Sequence, residues 1–306
     1  MPPAPALLPL LAALPCLGVL VFCSATWWRF WRAVDPAHRQ RLHQLSLGRV
    51  PSLGAAAFAS SLLVQAAAVA LYPAFLARGL WLRPPQADPG PQAGPPVLFV
   101  HGYMHTASAW LPFSAWFRAA GYRDLHALTY HSLRDDFPAI VARVEAEVRR
   151  LDAARPGRGV VLVGHSLGGL AIRQFLNTSP LAGRVLAAAT LGAPHQGSAL
   201  AGLAMSPLGR SLGFRGPLVR TVEAADRPPR VPCLSLSSPM DNIVLPREGL
   251  RILAPGWREA ETAPVCHLGM VFHRPTAAMV LDFLDESLRA RGAPRGAAGA
   301  QAPRRR

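Results

Sequence analysis

The sequence predicts an α/β domain, a mostly parallel sheet with helices on both faces, preceded by two apolar N-terminal helices. Three observations carry this. Strand-like and helix-like segments alternate from Val97 to the end of the chain. The strand-like segments are apolar throughout instead of every second residue, which implies that both sheet faces are covered. Two uncharged runs, Ala6 to Trp28 and Ser52 to Leu76, come before the alternation.

Both runs exceed the roughly 20 residues that cross a bilayer core, and a mean hydropathy of +0.21 is high for a wholly water-soluble chain. They are read as transmembrane helices of a membrane anchor over residues 1–83. A cleaved signal peptide is the alternative for the first run, although no basic segment precedes it. Pro9, Pro15 and the alanine content leave open a helical hairpin buried against the domain. The segment between the runs, residues 29–49, reads as a basic loop with five arginines and one aspartate, Asp35. The bias of short basic loops places it in the cytoplasm and the rest of the chain outside. Trp27, Trp28, Trp31 and Trp81 flank the runs, where amphipathic rings favour headgroups.

The net charge is +15, and all 32 basic residues are arginine. No nucleic-acid-binding motif accompanies the charge, which gathers in residues 29–49 and in a Gly/Ala/Pro-rich tail, 291–306, expected to be disordered. Anionic lipid is the partner this distribution suits. The four cysteines have no metal-ligand spacing. Cys233 and Cys266 could join in an oxidising compartment, or remain two buried thiols.

Residues 84–96 are a Pro/Gly/Gln-rich linker. The domain follows over 97–290: strand 97–100, a helical stretch through Gly121, strand 125–130, and a helix over 138–155. In that helix Ile140, Val141, Val144, Val148 and Leu151 recur at spacings of three and four. Then come strand 159–164, helix 167–176, strand 185–192, strand 231–237 and a closing helix over 274–291. Between them, residues 197–230 show no clean period and read as a lid-like insertion over the carboxyl edge of the sheet, where such sheets bind ligands.

Chemistry centres on Ser166. Gly164 and Gly168 flank it in a G-x-S-x-G pattern between a strand and a helix, the context in which the serine is held on a strained turn above the sheet. The glycines leave room for the close approach of backbones, and His165 reads as an orderer of this elbow. A serine hydroxyl needs a histidine to take its proton and a carboxylate to hold that histidine, in the chain order serine, acid, histidine. Asp241 follows a strand and is the choice of acid. Asp226 lies in the insertion, Asp282 and Asp285 on the last helix, and Glu248, Glu259 and Glu261 follow no recognised strand. His267, in a loop ahead of the last helix, is preferred as base over His273. An oxyanion site takes one amide from the residue after the serine, Leu167, and one from the loop after an earlier strand, here Tyr103 behind His101-Gly102.

With these residues in place, the chain from Val97 to Ala290 resembles the lipase branch of the α/β-hydrolase superfamily, which includes bacterial triacylglycerol lipases and deacylases of lipid anchors. "HGYMHTASAW" is similar to the family's oxyanion segment, "GHSLGG" to its nucleophile elbow, and "TLGAPHQGS", Thr190 to Ser198, to a turn typical of the branch. "SPMDNIVLP" and "CHLGM" look like its acid and base loops. The resemblance implies hydrolysis of acyl-ester lipids through an acyl-enzyme. Ser166 attacks, His267 moves the proton, Asp241 orients His267, and the Tyr103 and Leu167 amides hold the oxyanion. It implies no cofactor, and no carboxylate cluster suggests a structural calcium. A short-chain esterase, thioesterase or acyltransferase would use the same residues, and a catalytically dead membrane scaffold is the rival of another class. The first 95 residues lie outside the resemblance and are expected to hold nothing catalytic.

Overall fold

Asp35-Pro36 interrupts what the sequence presents as one basic loop. The computed structural model, which describes residues 4–82 and 94–292, runs the first helix, α1, over Ala4–Ala33. A second, α2, covers Pro36–Leu45, and a third, α3, covers Val50–Leu71. Residues 29–49 are therefore mostly helical, a correction with a local cause: the Asp35 carboxylate accepts the His38 amide at 2.8 Å and Pro36 occupies the first turn, a strong helix start. A short α4, Arg78–Trp81, precedes the linker. Most of the linker and the whole tail after residue 292 lie outside the described residues.

Six strands form one sheet: β1 Val97–Val100, β2 Leu125–Leu128, β3 Val160–His165, β4 Val185–Leu191, β5 Cys233–Ser237 and β6 Trp257–Glu261. Their order is β2-β1-β3-β4-β5-β6 and every pairing is parallel. Both faces of β1 and β3 are buried throughout. Val97 and Phe99 of β1 and Val161 and Val163 of β3 join one core with Phe113 and Phe117 of α5 (Leu111–Ala119). Leu98, Val100, Val160 and Leu162 join the other, against Ile140, Val144, Val148 and Leu151 of α6 (Phe137–Ala154). Each fully buried aliphatic side chain contributes about 1.5–3 kcal/mol, which explains why these strands carry no polar alternation. Val141 is only partly buried, at the margin of the α6 stripe.

Two features depart from the sequence reading. Strand β6 was absent from it because "WREAE" is a polar edge strand with no apolar run. Glu259 and Glu261 therefore lie on a strand after all, yet both are engaged elsewhere: Glu259 accepts the Ile252 amide at 2.9 Å, and Glu261 pairs with Arg41 and Arg247. The insertion is also more ordered than its pattern suggests. After α7 (Leu167–Thr178), it holds a 3-10 turn, Ala199–Leu203, then α8, Pro207–Ser211, and α9, Pro217–Ala224. Helices of five and eight residues are too short to display a period. Inside the domain, Arg173 of α7 is fully buried and donates to Asp226 from Nε at 3.0 Å and from a terminal nitrogen, and to the His195 carbonyl at 2.9 Å. The four cysteines are free thiols, and burial pushes Cys233 up to about 12 and Cys266 up to about 11. The last helix, α10, covers Arg274–Ala290.

Chain order reverses between β1 and β3: β2 lies to one side of β1, and the remaining strands extend from its other side. Open parallel sheets bind ligands at such a switch point, beyond the strands' carboxyl ends. His101-Gly102 and Ser166 stand at those two ends.

Candidate active site

Ser166 has φ 54° and ψ −125°, a left-handed conformation that a serine adopts only under constraint. The constraint is legible atom by atom. A Cβ on Gly164 would lie 2.7 Å from the Gly169 nitrogen, and one on Gly168 would lie 2.6 Å from the His101 carbonyl oxygen. The second contact refines the expectation: Gly168 makes room for the end of β1, whereas Gly164 makes room for α7. Gly102 abuts the serine as well, since its Cβ would sit 2.9 Å from Ser166 Cβ.

The acid and base loops meet beyond β5. His267 Nδ1 lies 2.7 Å from Asp241 Oδ2, and both side chains are almost wholly buried. Asp241 Oδ1 accepts the amides of Ile243 and Val244 at 3.0 and 2.9 Å, so the carboxylate cannot rotate away. Ser238 ties the two loops together by donating to the Val265 carbonyl at 2.5 Å and accepting the Val265 amide at 3.1 Å. Gly192, in the "TLGAPHQGS" turn at φ 55°, leaves the space for this pair. A Cβ there would stand 3.1 Å from both Asp241 Oδ2 and His267 Nδ1. The sequence pattern singled out that turn without indicating this use.

His165 places the serine's segment against the base: its ring lies 4.6 Å from the His267 ring, and its Nε2 donates to the His267 carbonyl at 3.2 Å. The hydrogen bonds of the described residues do not include one from Ser166 Oγ to His267, and such contacts commonly tighten only when substrate is bound. Neither the Tyr103 nor the Leu167 amide donates to a protein acceptor among the described residues; Leu167 follows the serine, and Tyr103 follows Gly102, which abuts it. His273, the rival base, sits at the start of α10 with Nδ1 2.9 Å from Thr276 Oγ1. Asp226 is paired with Arg173.

The rings around His267 are held neutral. Burial pushes His101 down to about 3 and His105 down to about 4, the latter aided by the charge His267 can carry. Burial and then that same charge hold His165 well below the usual imidazole range. Geometry agrees for His101, whose Nε2 accepts the Tyr130 amide at 3.3 Å while Nδ1 donates to the Gly102 carbonyl at 2.8 Å. All three folded values lie below the ordinary 6.5, so the unfolded chain takes up protons first. Their contribution to stability is fully present above about pH 6.5 and is lost as the pH falls toward 4 and 3. The thermal midpoint is expected to fall steadily between pH 6.5 and 4.5. A midpoint that stays level over that interval contradicts the neutral assignment.

An apolar rim surrounds this end of the sheet. Met104, Leu133, Leu203 and Met205 are exposed, Met205 to 75%. They are brought together by polar ties between their neighbours: Tyr103 Oη with Ser206 Oγ at 3.0 Å, Ser206 Oγ to the Ser132 carbonyl at 3.0 Å, and the Met104 amide to Ser132 Oγ at 2.8 Å.

Comparison with known proteins gives a family model, described as the alpha/beta hydrolase family, that matches residues 97–305. The chain belongs to the alpha/beta hydrolase family. A probable esterase, PIR7A, of Oryza sativa is 37% identical over 92 residues, 28% of this chain and 35% of that protein. The chain thus matches about a third of that relative's length. Among solved structures, the mature lipase BlEst2 of Bacillus licheniformis superposes with a TM-score of 0.56 at 22% identity, over 66% of this chain and 95% of that one. Lipase B of Aspergillus fumigatus gives 0.57 at 20% identity, over 66% and 55%. At these identities the likeness is one of fold, and it agrees with the lipase-like resemblance of the sequence.

Proposed function

We propose that this alpha/beta hydrolase cleaves carboxylic esters of lipids by a Ser-His-Asp acyl-enzyme mechanism at a membrane surface. The observation that carries the proposal is the constrained Ser166 at the switch point, beside a buried Asp241–His267 pair 2.7 Å apart. In this mechanism His267 Nε2 takes the Ser166 proton as Oγ attacks the ester carbonyl, and Asp241 stabilises the imidazolium that forms. The Tyr103 and Leu167 amides, together with the start of α7, stabilise the oxyanion. The tetrahedral intermediate expels the alcohol with the proton from His267, and water then releases the acid by the same steps in reverse. The exposed apolar rim favours acyl chains over small polar esters.

A ladder of p-nitrophenyl esters tests the substrate class. Turnover is expected to rise from acetyl toward medium and long chains. An optimum at acetyl with nothing beyond butyryl favours the short-chain esterase reading instead, and the absence of turnover with every ester defeats hydrolysis.

Membrane attachment is the second part of the proposal. Among the described residues one helical stretch, Val50–Phe75, is long and apolar enough to cross a bilayer, and 22% of its most apolar window is buried in the protein. Helix α1 exposes Leu14, Leu17, Val21 and Phe22, and Arg29 and Arg32 lie over the Trp28 ring, an arrangement suited to headgroups. The charge bias of the sequence places residues 29–49 across the bilayer from the hydrolase domain, but α2 packs on that domain, with His38 Nε2 2.7 Å from the Pro239 carbonyl and Arg41 paired with Glu261, so segment and domain lie on the same side. Protease added outside sealed spheroplasts is then expected to digest residues 29–49 and the domain together or to spare both, and digestion of one with protection of the other contradicts this packing.

A further inference from the structure

The N-terminal helices are packed onto the acid and base loops. Cys23, Trp27 and Phe30 of α1, Leu42 of α2 and Ala57 of α3 form one buried cluster with Met240 and Leu245, which flank the acid, and with Cys266, which precedes the base. Besides the Arg41–Glu261 pair, two polar ties cross this apolar contact. His38 Nε2 of α2 donates to the Pro239 carbonyl at 2.7 Å. The other tie begins at Thr26 of α1.

Thr26 donates its hydroxyl proton to the Cys23 carbonyl one turn back, at 3.1 Å, so Oγ1 is left to accept. It accepts from Asn242 Nδ2 at 2.8 Å. That fixes which way the Asn242 amide points: Nδ2 toward α1, and Oδ1 toward the His267 backbone amide, which donates to it at 3.2 Å. Thr26 and Asn242 are 5% and 4% exposed, so water cannot replace either partner. Asn242 is also the residue after the acid. One amide group therefore joins the N-terminal helix, the acid loop and the backbone of the base.

We infer that Thr26 and Asn242 are positioning residues: the membrane-proximal helix α1, through Asn242, holds the backbone of His267 at the height from which its ring reaches Ser166. The inference rests on the catalytic reading above. It gives the N-terminal segment a part in turnover that the sequence did not suggest. The ring's direction is set by Asp241 at Nδ1, but its position along the loop is set at the main chain, and displacement of a reacting group by about 1 Å can cost about 100-fold in rate.

The test uses the full chain in detergent, with kcat and KM measured on p-nitrophenyl butyrate. Thr26→Val keeps the shape of the side chain and removes the acceptor. It is expected to lower kcat about tenfold with KM nearly unchanged, and Thr26→Ser to restore most of the rate. Asn242→Leu is expected to lower kcat at least as far, and the double variant with Thr26→Val no further than Asn242→Leu alone, because one residue acts through the other. Full kcat in Thr26→Val overturns the inference, as do a Thr26→Ser variant as slow as Thr26→Val and a double variant whose loss is the product of the single losses. Thr26→Ala carries the same readout if Thr26→Val does not fold, and failure of both to fold makes the contact purely structural. Turnover in the parent that survives Ser166→Ala defeats the catalytic reading itself, whereas intact kcat in the Thr26 variants defeats the positioning alone.

Discussion

Ser166→Ala is expected to leave a folded protein whose ester hydrolysis has dropped by about 10⁶-fold, because removal of the nucleophile leaves only oxyanion stabilisation and binding. A fluorophosphonate probe should label the parent chain and leave this variant unmarked. Ser166→Gly separates chemistry from backbone strain. With φ at 54° the serine holds a conformation costing about 1–3 kcal/mol, which glycine adopts freely. Ser166→Gly should therefore be as inactive as Ser166→Ala yet melt at a higher temperature than the parent. A glycine variant that melts lower would show that the turn is not strained in the way its dihedrals imply, and labelling of Ser166→Ala would place the nucleophile elsewhere.

Asp241→Asn is expected to lower kcat by about 10⁴-fold, roughly 5–6 kcal/mol of transition-state stabilisation, with little change in thermal midpoint. The backbone explains why. Oδ1 is committed to the amides of Ile243 and Val244, so an asparagine keeps its carbonyl oxygen there and turns its NH₂ toward His267 Nδ1. That nitrogen must then accept, which leaves the proton on Nε2 facing Ser166, the wrong tautomer for a base. Loss of the negative charge also removes what stabilises the imidazolium. The deficit should appear in kcat and leave KM close to the parent value. A variant with most of its activity retained would make Asp241 a structural carboxylate, and another acid would have to be sought.

Much of the sheet was legible because burial on two faces writes itself as uninterrupted apolar runs: "VLFV" and "VVLVGH" could be nothing else in this context. The elbow was legible too, since Gly164 and Gly168 stand where any Cβ meets backbone, and steric exclusion leaves a mark in composition. Polar edges leave no such mark, so "WREAE" went unread as β6. The short helices of the insertion were invisible for want of a full period. The use of Gly192 as clearance for the Asp241–His267 pair depends on three segments converging from 192, 241 and 267, a non-local fact. The tie from Thr26 to Asn242 spans 216 residues. It could not be inferred from a helix that looked destined for lipid, because a lone threonine in an apolar run has no sequence feature to announce its partner.

The buried Arg173 constrains anyone who would graft a different cover onto this scaffold. Its guanidinium is sealed beneath the segment that supplies Asp226, and Asn177 donates to the same carboxylate at 2.7 Å. A swap that removes Asp226 strands a cation in the interior, an error that costs about 3–5 kcal/mol. Exchanges of this region should therefore be spliced between Ala199 and Gly216, leaving the return through α9 to Asp226 untouched, or should replace Arg173 with an apolar residue in the same step.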